Sequence, residues 1–474
     1  MNLKEIAKLL ISFNKFIKSS KVNNEIRKKS TDFIRKRKFV FYDVLHFLIF
    51  RSEKCIPAEL TKFFCDIDKL KNRISRQAAF KALKKVNPNV FYLLIRKFSE
   101  LFYSSDLVKT FKGYVLLSVD GTSTNLIATD ESIDKYEFHR SAYIKNKEDA
   151  KKATSRNSAI YDVTNGLIVD YEMSKWTDSE ISLLVKQLER SHDFYDKHKA
   201  ILLADRNYPG VELFSIIEHY DMKYCIRGKT NFFKKYLEDN DSNDTWIEIE
   251  LDKLWLKRLK YDIAKERFEK DNKIKVRVVK YNYTYKDKRG HEVNNNLIYF
   301  TNLSEEEFTA EEIATLYTKR WDIECSFKTL KTDYEWERYF SKECDTETCA
   351  LLAKVIFHNI TGVLRKELNK HLEENNDETN KYKYCVNIVE LSKLLRKGNI
   401  IKYIRNNNKN KIISLLETIK DLINKTKVPI RPNRHSKRWG RHLTSAAPFR
   451  YRIDGRNNPN SAYINGHLQT IKPI

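Results

Sequence analysis

Two short apolar runs constrain the fold of this chain more than anything else in it. Tyr114-Val115-Leu116-Leu117-Ser118-Val119 stops at Asp120-Gly121-Thr122, and Ala200-Ile201-Leu202-Leu203-Ala204 stops at Asp205-Arg206-Asn207-Tyr208-Pro209-Gly210. Runs this short, apolar at nearly every position, read as strands buried on both faces. Such strands need helices above and below the sheet, so the pattern predicts an α/β domain. Each run ends in a carboxylate. That placement suits a metal site, and it equally suits an ordinary turn residue; on these runs alone both readings stand.

Between the runs, residues 159–163 and 167–173 flank Thr164-Asn165-Gly166, where Asn-Gly is a strong hairpin signal. A helix is expected from about 178 to 194, with Ile181, Leu184 and Leu188 on one side. Beyond the second run, residues 211–217 start another helix and 223–226 form a further strand. Strand, hairpin, helix, strand, helix, strand is the order of an RNase H-like core. In such a core Asp120 and Asp205 end neighbouring strands, and a third carboxylate arrives from a later helix.

Residues 317–331, Tyr-Thr-Lys-Arg-Trp-Asp-Ile-Glu-Cys-Ser-Phe-Lys-Thr-Leu-Lys, supply that helix. At ~100° per residue, Tyr317, Arg320, Glu324 and Lys331 share an arc about 60° wide. Leu316, Ile323, Phe327 and Leu330 form an apolar stripe for packing. One carboxylate therefore stands among a phenol and two cations, a metal-ligand type beside phosphate-ligand types. Salt bridges at helical spacing are the plain alternative. Three carboxylates from two strands and a helix can hold two divalent ions about 3.5–4 Å apart. Hard oxygen donors suit Mg²⁺ or Mn²⁺ rather than zinc.

The rest of the chain divides around this core. Residues 1–108 read as a helical N-terminal DNA-binding region, in which Arg35-Lys36-Arg37-Lys38 precedes an apolar helix. Ser75 is a plausible N-cap for a short helix burying Ala79, Phe80 and Leu83. Arg76, Lys81, Lys84 and Lys85 are left for DNA phosphates, a pattern compatible with helix-turn-helix docking and shared with many exposed basic helices. The core's first part is placed at 109–230, a β-rich insertion at 231–295, and the second part with the glutamate helix at 296–372. Strands are expected near 245–251, 273–285 and 296–302, with a turn at 285–290. A helical C-terminal region follows at 373–474, ending in a tail that carries Arg431, Arg434, Lys437, Arg438, Arg441, Arg450 and Arg452.

Net charge is +25 and the pI near 9.4, an excess that suits a polyanionic partner such as nucleic acid. A hydrophobic content of 41% allows sizeable cores. The first 18 residues alternate at helical spacing and lack a signal peptide's continuous apolar run. Residues 39–50 are too short to span a bilayer and carry Asp43 and His46. No membrane association and a cytoplasmic location are expected, and seven scattered cysteines fit a reducing compartment. Cys344, Cys349 and His358 lack a fourth ligand at zinc spacing.

The motifs Val119-Asp120-Gly121-Thr122 and Ala204-Asp205-Arg206-Asn207-Tyr208, and above all a gapless Tyr-x₂-Arg-x₃-Glu-x₆-Lys signature at Tyr317, Arg320, Glu324 and Lys331, resemble the IS4-type family of bacterial DDE transposases. The resemblance covers nearly the whole chain, since that family also has an N-terminal helical DNA-binding region and a β-insertion before the glutamate. It implies cut-and-paste transposition by a homodimer on double-stranded DNA, with inverted terminal repeats bound and a target joined. It also implies that Asp120, Asp205 and Glu324 are the catalytic ligands of two Mg²⁺ or Mn²⁺ ions. Tyr317, Arg320 and Lys331 would hold phosphates beside the cleaved strand, and Arg206 would join the DNA contacts. Some relatives hold a flipped base of a hairpin intermediate with a tryptophan near the last insertion strand. Here 294–300 contains none, and Trp246 and Trp255 are expected in the core. A nuclease cutting DNA without strand transfer would use the same metal pair. An inactive DNA-binding regulator is the alternative from another class.

Overall fold

The computed structural model describes residues 2–431, apart from 36, 53–54, 141–143, 196, 230–231, 239–241, 287–291 and 377–378. Most of the expected turn at 285–290 and of the basic tail, from Arg434 onward, lies outside the described residues.

Eight strands form one sheet: β1 (Val115–Ile127), β2 (Lys152–Asp162), β3 (Leu167–Lys175), β4 (Ala200–Ala204), β5 (Lys223–Gly228), β6 (Asp244–Glu250), β7 (Lys273–Lys286) and β8 (Glu292–Thr301). Their spatial order is β3-β2-β1-β4-β5-β8-β7-β6. β1, β2 and β3 are antiparallel neighbours, whereas β4 and β5 run parallel to β1. This is the RNase H-like arrangement, in an α/β fold. The two apolar runs lie at its centre: Leu116, Leu117 and Val119 on β1 and every residue of β4 are buried.

β1 departs from the expected strand end at Asp120. It continues to Ile127, paired with β2 throughout, while its pairing with β4 stops at Ser118 opposite Leu203. The apolar run ends at Asp120 because β1 loses one neighbour there, not because the strand stops. With one side open, the strand no longer needs apolar residues on both faces.

The segment expected as a β-rich insertion extends the same sheet. β8 pairs with β5 from Cys225 opposite Thr301 to Gly228 opposite Ile298, and β7 and β6 follow outward. Trp246 departs from its expected core position. β6 is the outermost strand, Ile247 and Ile249 face inward, and Trp246 on the alternate face is 40% exposed. Trp255 is half-buried near Phe233. Arg277 of β7 is fully buried, ion-paired to Asp244 at 2.6 Å, and donates through Nη1 to the Leu303 and Phe308 carbonyls. It thereby ties these strands to the connection that leads into the glutamate helix.

Helices Asn89–Tyr103 and Cys344–Glu374 pack on the β3 and β1 part of the sheet. Helices Glu180–Arg190 and Val211–His219 pack against β2, β3 and β5. By length and composition Cys344–Glu374 could cross a membrane, but its apolar window is wholly buried in the protein. Asn359 from its middle bonds both the N–H and the carbonyl of Ile168 on β3. The terminal helical regions meet each other: Asn14 donates to the Ile404 carbonyl at 2.8 Å, and Arg405 pairs with buried Asp43 at 2.5 Å. Residues expected as one C-terminal helical stretch form Ile388–Lys397, Ile400–Arg405 and Lys409–Thr426.

Candidate active site

The register of β1 and β4 places the first two carboxylates. Val115 lies opposite Ala200 and Ser118 opposite Leu203, and Asp120 and Asp205 each follow two residues beyond that last pair. Adjacent strands are about 4.8 Å apart, and residues of matching parity share a face. Asp205 then caps its own turn, Oδ1 accepting from Asn207 N at 2.8 Å and Oδ2 from Asn207 Nδ2 at 3.2 Å.

The third carboxylate sits on a helix that is interrupted, not continuous as expected. Ala310–Thr318 ends before Arg320, Trp321–Lys328 begins after it, and Thr329–Asp333 is a π-helical turn. At the break, Lys319 and Arg320 bond back to Leu316 and Tyr317, three residues earlier. The backbone stays helical in φ and ψ through the break, and Tyr317, Arg320 and Glu324 remain neighbours along it, whereas Lys331 lies in the π-helical turn. The apolar stripe survives nonetheless: Leu316, Ile323, Phe327 and Leu330 are all buried. Ser326 on the same segment meets His358 Nε2 of the long helix at 3.0 Å, and Ser118 of β1 donates to the Arg320 carbonyl.

Arg320 joins the carboxylates. Its Nη2 bonds Glu324 Oε1 at 2.6 Å, and its Nη1 stands 3.5 Å from Asp120 Oδ2. Nε and Nη1 are buried and lack a hydrogen-bond partner among the described residues. Burial works against its charge, yet the Glu324 hydrogen bond, with Tyr317, Asp120 and the Glu324 charge, holds the guanidinium above its ordinary pKa. Burial pushes Asp120 up to about 6; the Gly121 N–H and Arg320 oppose this, and the charges of Asp205 and Glu324 add to it. The charges of Asp205 and Glu324 thus both act on Asp120. Among the described residues, however, no three acidic, His or Cys side chains converge as a formed metal cage. The donor set is all hard oxygen and its like charges call for a cation, a role that Arg320 fills in part.

The remaining sequence candidates divide. The Tyr317 ring lies tilted against that of Tyr299, 5.0 Å between centroids, with the Arg320 guanidinium 5.8 Å from its own centroid, and burial raises its phenol to about 12. Arg206 is exposed on the turn beside Asp205. Lys331 is half-buried; burial lowers its pKa and Glu337 opposes this. Glu337 in turn accepts from Asn125 N at 3.0 Å, further along β1 than Asp120. Ser75 caps the helix Arg76–Leu83, accepting from Ala78 N at 3.2 Å. Arg76 and Lys81 are exposed there, while Lys84 pairs with Glu343 and Lys85 with Asp32. A groove of about 1100 Å³ opens beside this helix, edged by Arg35, Arg37, Lys38 and Lys81 with Phe33 and Tyr42.

A fourth carboxylate near the site was missed by sequence reasoning. Glu180, first residue of its helix, lies against Gly121, where an added Cβ would fall 2.4 Å from its carboxyl. The only local hint was the glycine itself, since a residue without Cβ permits such an approach.

An eight-stranded sheet with RNase H-like order, with one carboxylate on β1, one in the turn after β4 and a glutamate helix bridged to the first by Arg320, defines a protein of the RNase H-like class. The transposase DDE domain family matches residues 112–360, just over half of the chain, and the chain belongs to that family. Among solved structures, the piggyBac transposase synaptic complex with hairpin DNA, determined by cryo-EM, is similar over 92% of this chain and 89% of that one, at 9% identity and a TM-score of 0.39. No curated protein sequence matches the chain.

Proposed function

We propose that this transposase acts in the IS4-type manner, binding inverted terminal repeats and carrying out metal-dependent strand cleavage and transfer. The observation that supports this most is the Asp120–Arg320–Glu324 bridge, with Asp205 in the turn that follows the neighbouring strand β4. Asp120, Asp205 and Glu324 would hold two Mg²⁺ or Mn²⁺ ions. When bound, these supply a polarised nucleophile and charge stabilisation at the leaving oxygen. Glu324, which bonds Arg320 at 2.6 Å, would be the helix-borne ligand of these ions. Arg320, whose Nε and Nη1 make no hydrogen bond among the described residues, would grip a non-bridging oxygen of the scissile phosphate. In cleavage, water oxygen bonds to phosphorus as the bond to the leaving 3′-oxygen breaks. In transfer, that 3′-hydroxyl attacks a target phosphate and displaces the target's own 3′-oxygen.

Tyr317, Lys331 and Arg206 would hold flanking phosphates, and the N-terminal groove with Arg76 and Lys81 would bind duplex DNA. A homodimer would pair two element ends, and a cytoplasmic location fits this activity. The deciding experiment incubates purified protein with a pre-cleaved terminal-repeat end, a plasmid target and Mg²⁺. Joined products that disappear on Glu324→Gln support transposition. Cleavage of uncut ends without joining would point to a nuclease. Neither activity, with intact end binding, would point to a regulator.

A further inference from the structure

We propose that Glu180 is a positioning residue that locks the Asp205 turn against β1, and so sets the spacing of Asp120 and Asp205. This rests on the metal-binding reading above. Backbone pairing between β1 and β4 ends at Ser118 and Leu203, two residues short of both aspartates. Something other than the strand ladder must therefore hold Asp205 beside Asp120.

Glu180 spans that gap. Its carboxyl rests on Gly121, immediately after Asp120, where a Cβ would stand 2.4 Å from it and displace it. Oε1 receives Arg156 Nη1 of β2 at 2.9 Å, and Oε2 receives the Tyr208 hydroxyl at 3.4 Å. Tyr208 belongs to the turn that Asp205 opens, its N–H bonding the Asp205 carbonyl at 3.2 Å. One carboxylate thus touches β1, β2 and the turn after β4. Each partner is itself fixed. Arg156 lies 4.4 Å over the Trp176 ring and donates through Nε to the Trp176 carbonyl. Tyr208 is 1% exposed, and burial together with the Glu180, Asp120 and Asp205 charges keeps its phenol protonated and able to donate. With side chains 26% and 27% exposed, the Arg156–Glu180 pair adds little stability. Its consequence is geometric.

The test reads cation binding without catalysis. The full chain, free of DNA, is titrated with Mn²⁺ and the rise of its thermal midpoint is followed, with Asp120→Asn as the control that abolishes the rise. Glu180→Ala is expected to raise the half-maximal Mn²⁺ concentration about tenfold or more, the usual effect of removing a group that orients a ligand. Glu180→Gln keeps length and an acceptor for Tyr208, and should restore most of the affinity. Tyr208→Phe should shift the curve in the same direction by less. An unchanged Mn²⁺ curve in Glu180→Ala overturns the proposal. Equal damage from Gln and Ala also overturns it, because Glu180 would then act through its charge. If Glu180→Ala fails to fold, an unchanged curve in Tyr208→Phe overturns it instead. A wild-type protein with no Mn²⁺ response refutes the metal reading itself, a different result from a responsive wild type with an indifferent variant.

Discussion

Replacing Asp120 by asparagine should stabilise the metal-free protein while removing its function. Burial raises the Asp120 carboxyl to about 6 against an ordinary 3.8. At about 1.4 kcal/mol per pH unit, that gap corresponds to about 3 kcal/mol. The folded protein holds this proton more tightly than the unfolded chain does. The group therefore costs nothing below the unfolded pKa, and stability falls as pH rises through the window from about 4 to 6. Above the window the penalty is complete. Asparagine resembles the protonated acid, so Asp120→Asn should be more stable at pH 8 in EDTA by about 1–3 kcal/mol, the lower figure allowing for the carboxyl's 19% exposure. At pH 4 the two proteins should converge. Urea unfolding in EDTA at several pH values measures this, and adding Mn²⁺ should reverse the order at pH 8 by stabilising only the wild type. A variant less stable than wild type at pH 8 without metal, or a difference independent of pH, would refute the electrostatic account of this site.

Glu324→Gln should leave terminal-repeat binding intact while cleavage and joining fall together by about a hundredfold or more, since positioned charge at the reacting phosphate is lost; single-turnover assays with near-normal cleavage would assign the third ligand elsewhere. Removing Arg76 and Lys81 should reduce the magnitude of the salt slope of duplex binding by about 0.9 for each phosphate no longer neutralised. Lys84→Ala and Lys85→Ala should change that slope less, because Glu343 and Asp32 already pair with them; equal slopes for all four would contradict the division. Gly121→Ala puts a Cβ 2.4 Å from the present position of the Glu180 carboxyl, so the carboxyl must move off Gly121 and Mn²⁺ affinity should fall with little change in the thermal midpoint of the metal-free protein; unchanged Mn²⁺ affinity would contradict this.

Much of this protein is determined by sequence patterns a few residues long. The apolar runs ending at Asp120 and Asp205, the Asn165-Gly166 hairpin and the Leu316, Ile323, Phe327 and Leu330 stripe all report local burial, which periodicity encodes directly. The order of those elements also implied the sheet. Other features depend on partners far away in the chain. β1 runs beyond Asp120 because β2 continues while β4 stops, and neither fact is visible in β1 itself. Ile247 and Ile249 take the inner face of the outermost strand, which leaves Trp246 outside. The helix around Arg320 breaks where its two halves pack against different neighbours: Tyr317 against Tyr299, Ser326 against His358. Lys84 and Lys85 look unpaired in a linear reading, and only the fold brings Glu343 and Asp32 beside them. Glu180 is one carboxylate among 64 acidic residues in sequence and gains meaning only where Gly121, Arg156 and Tyr208 converge on it. Local pattern specifies which face of an element is apolar, but long-range register specifies which polar groups meet. The chemistry of the site belongs to the second kind of information.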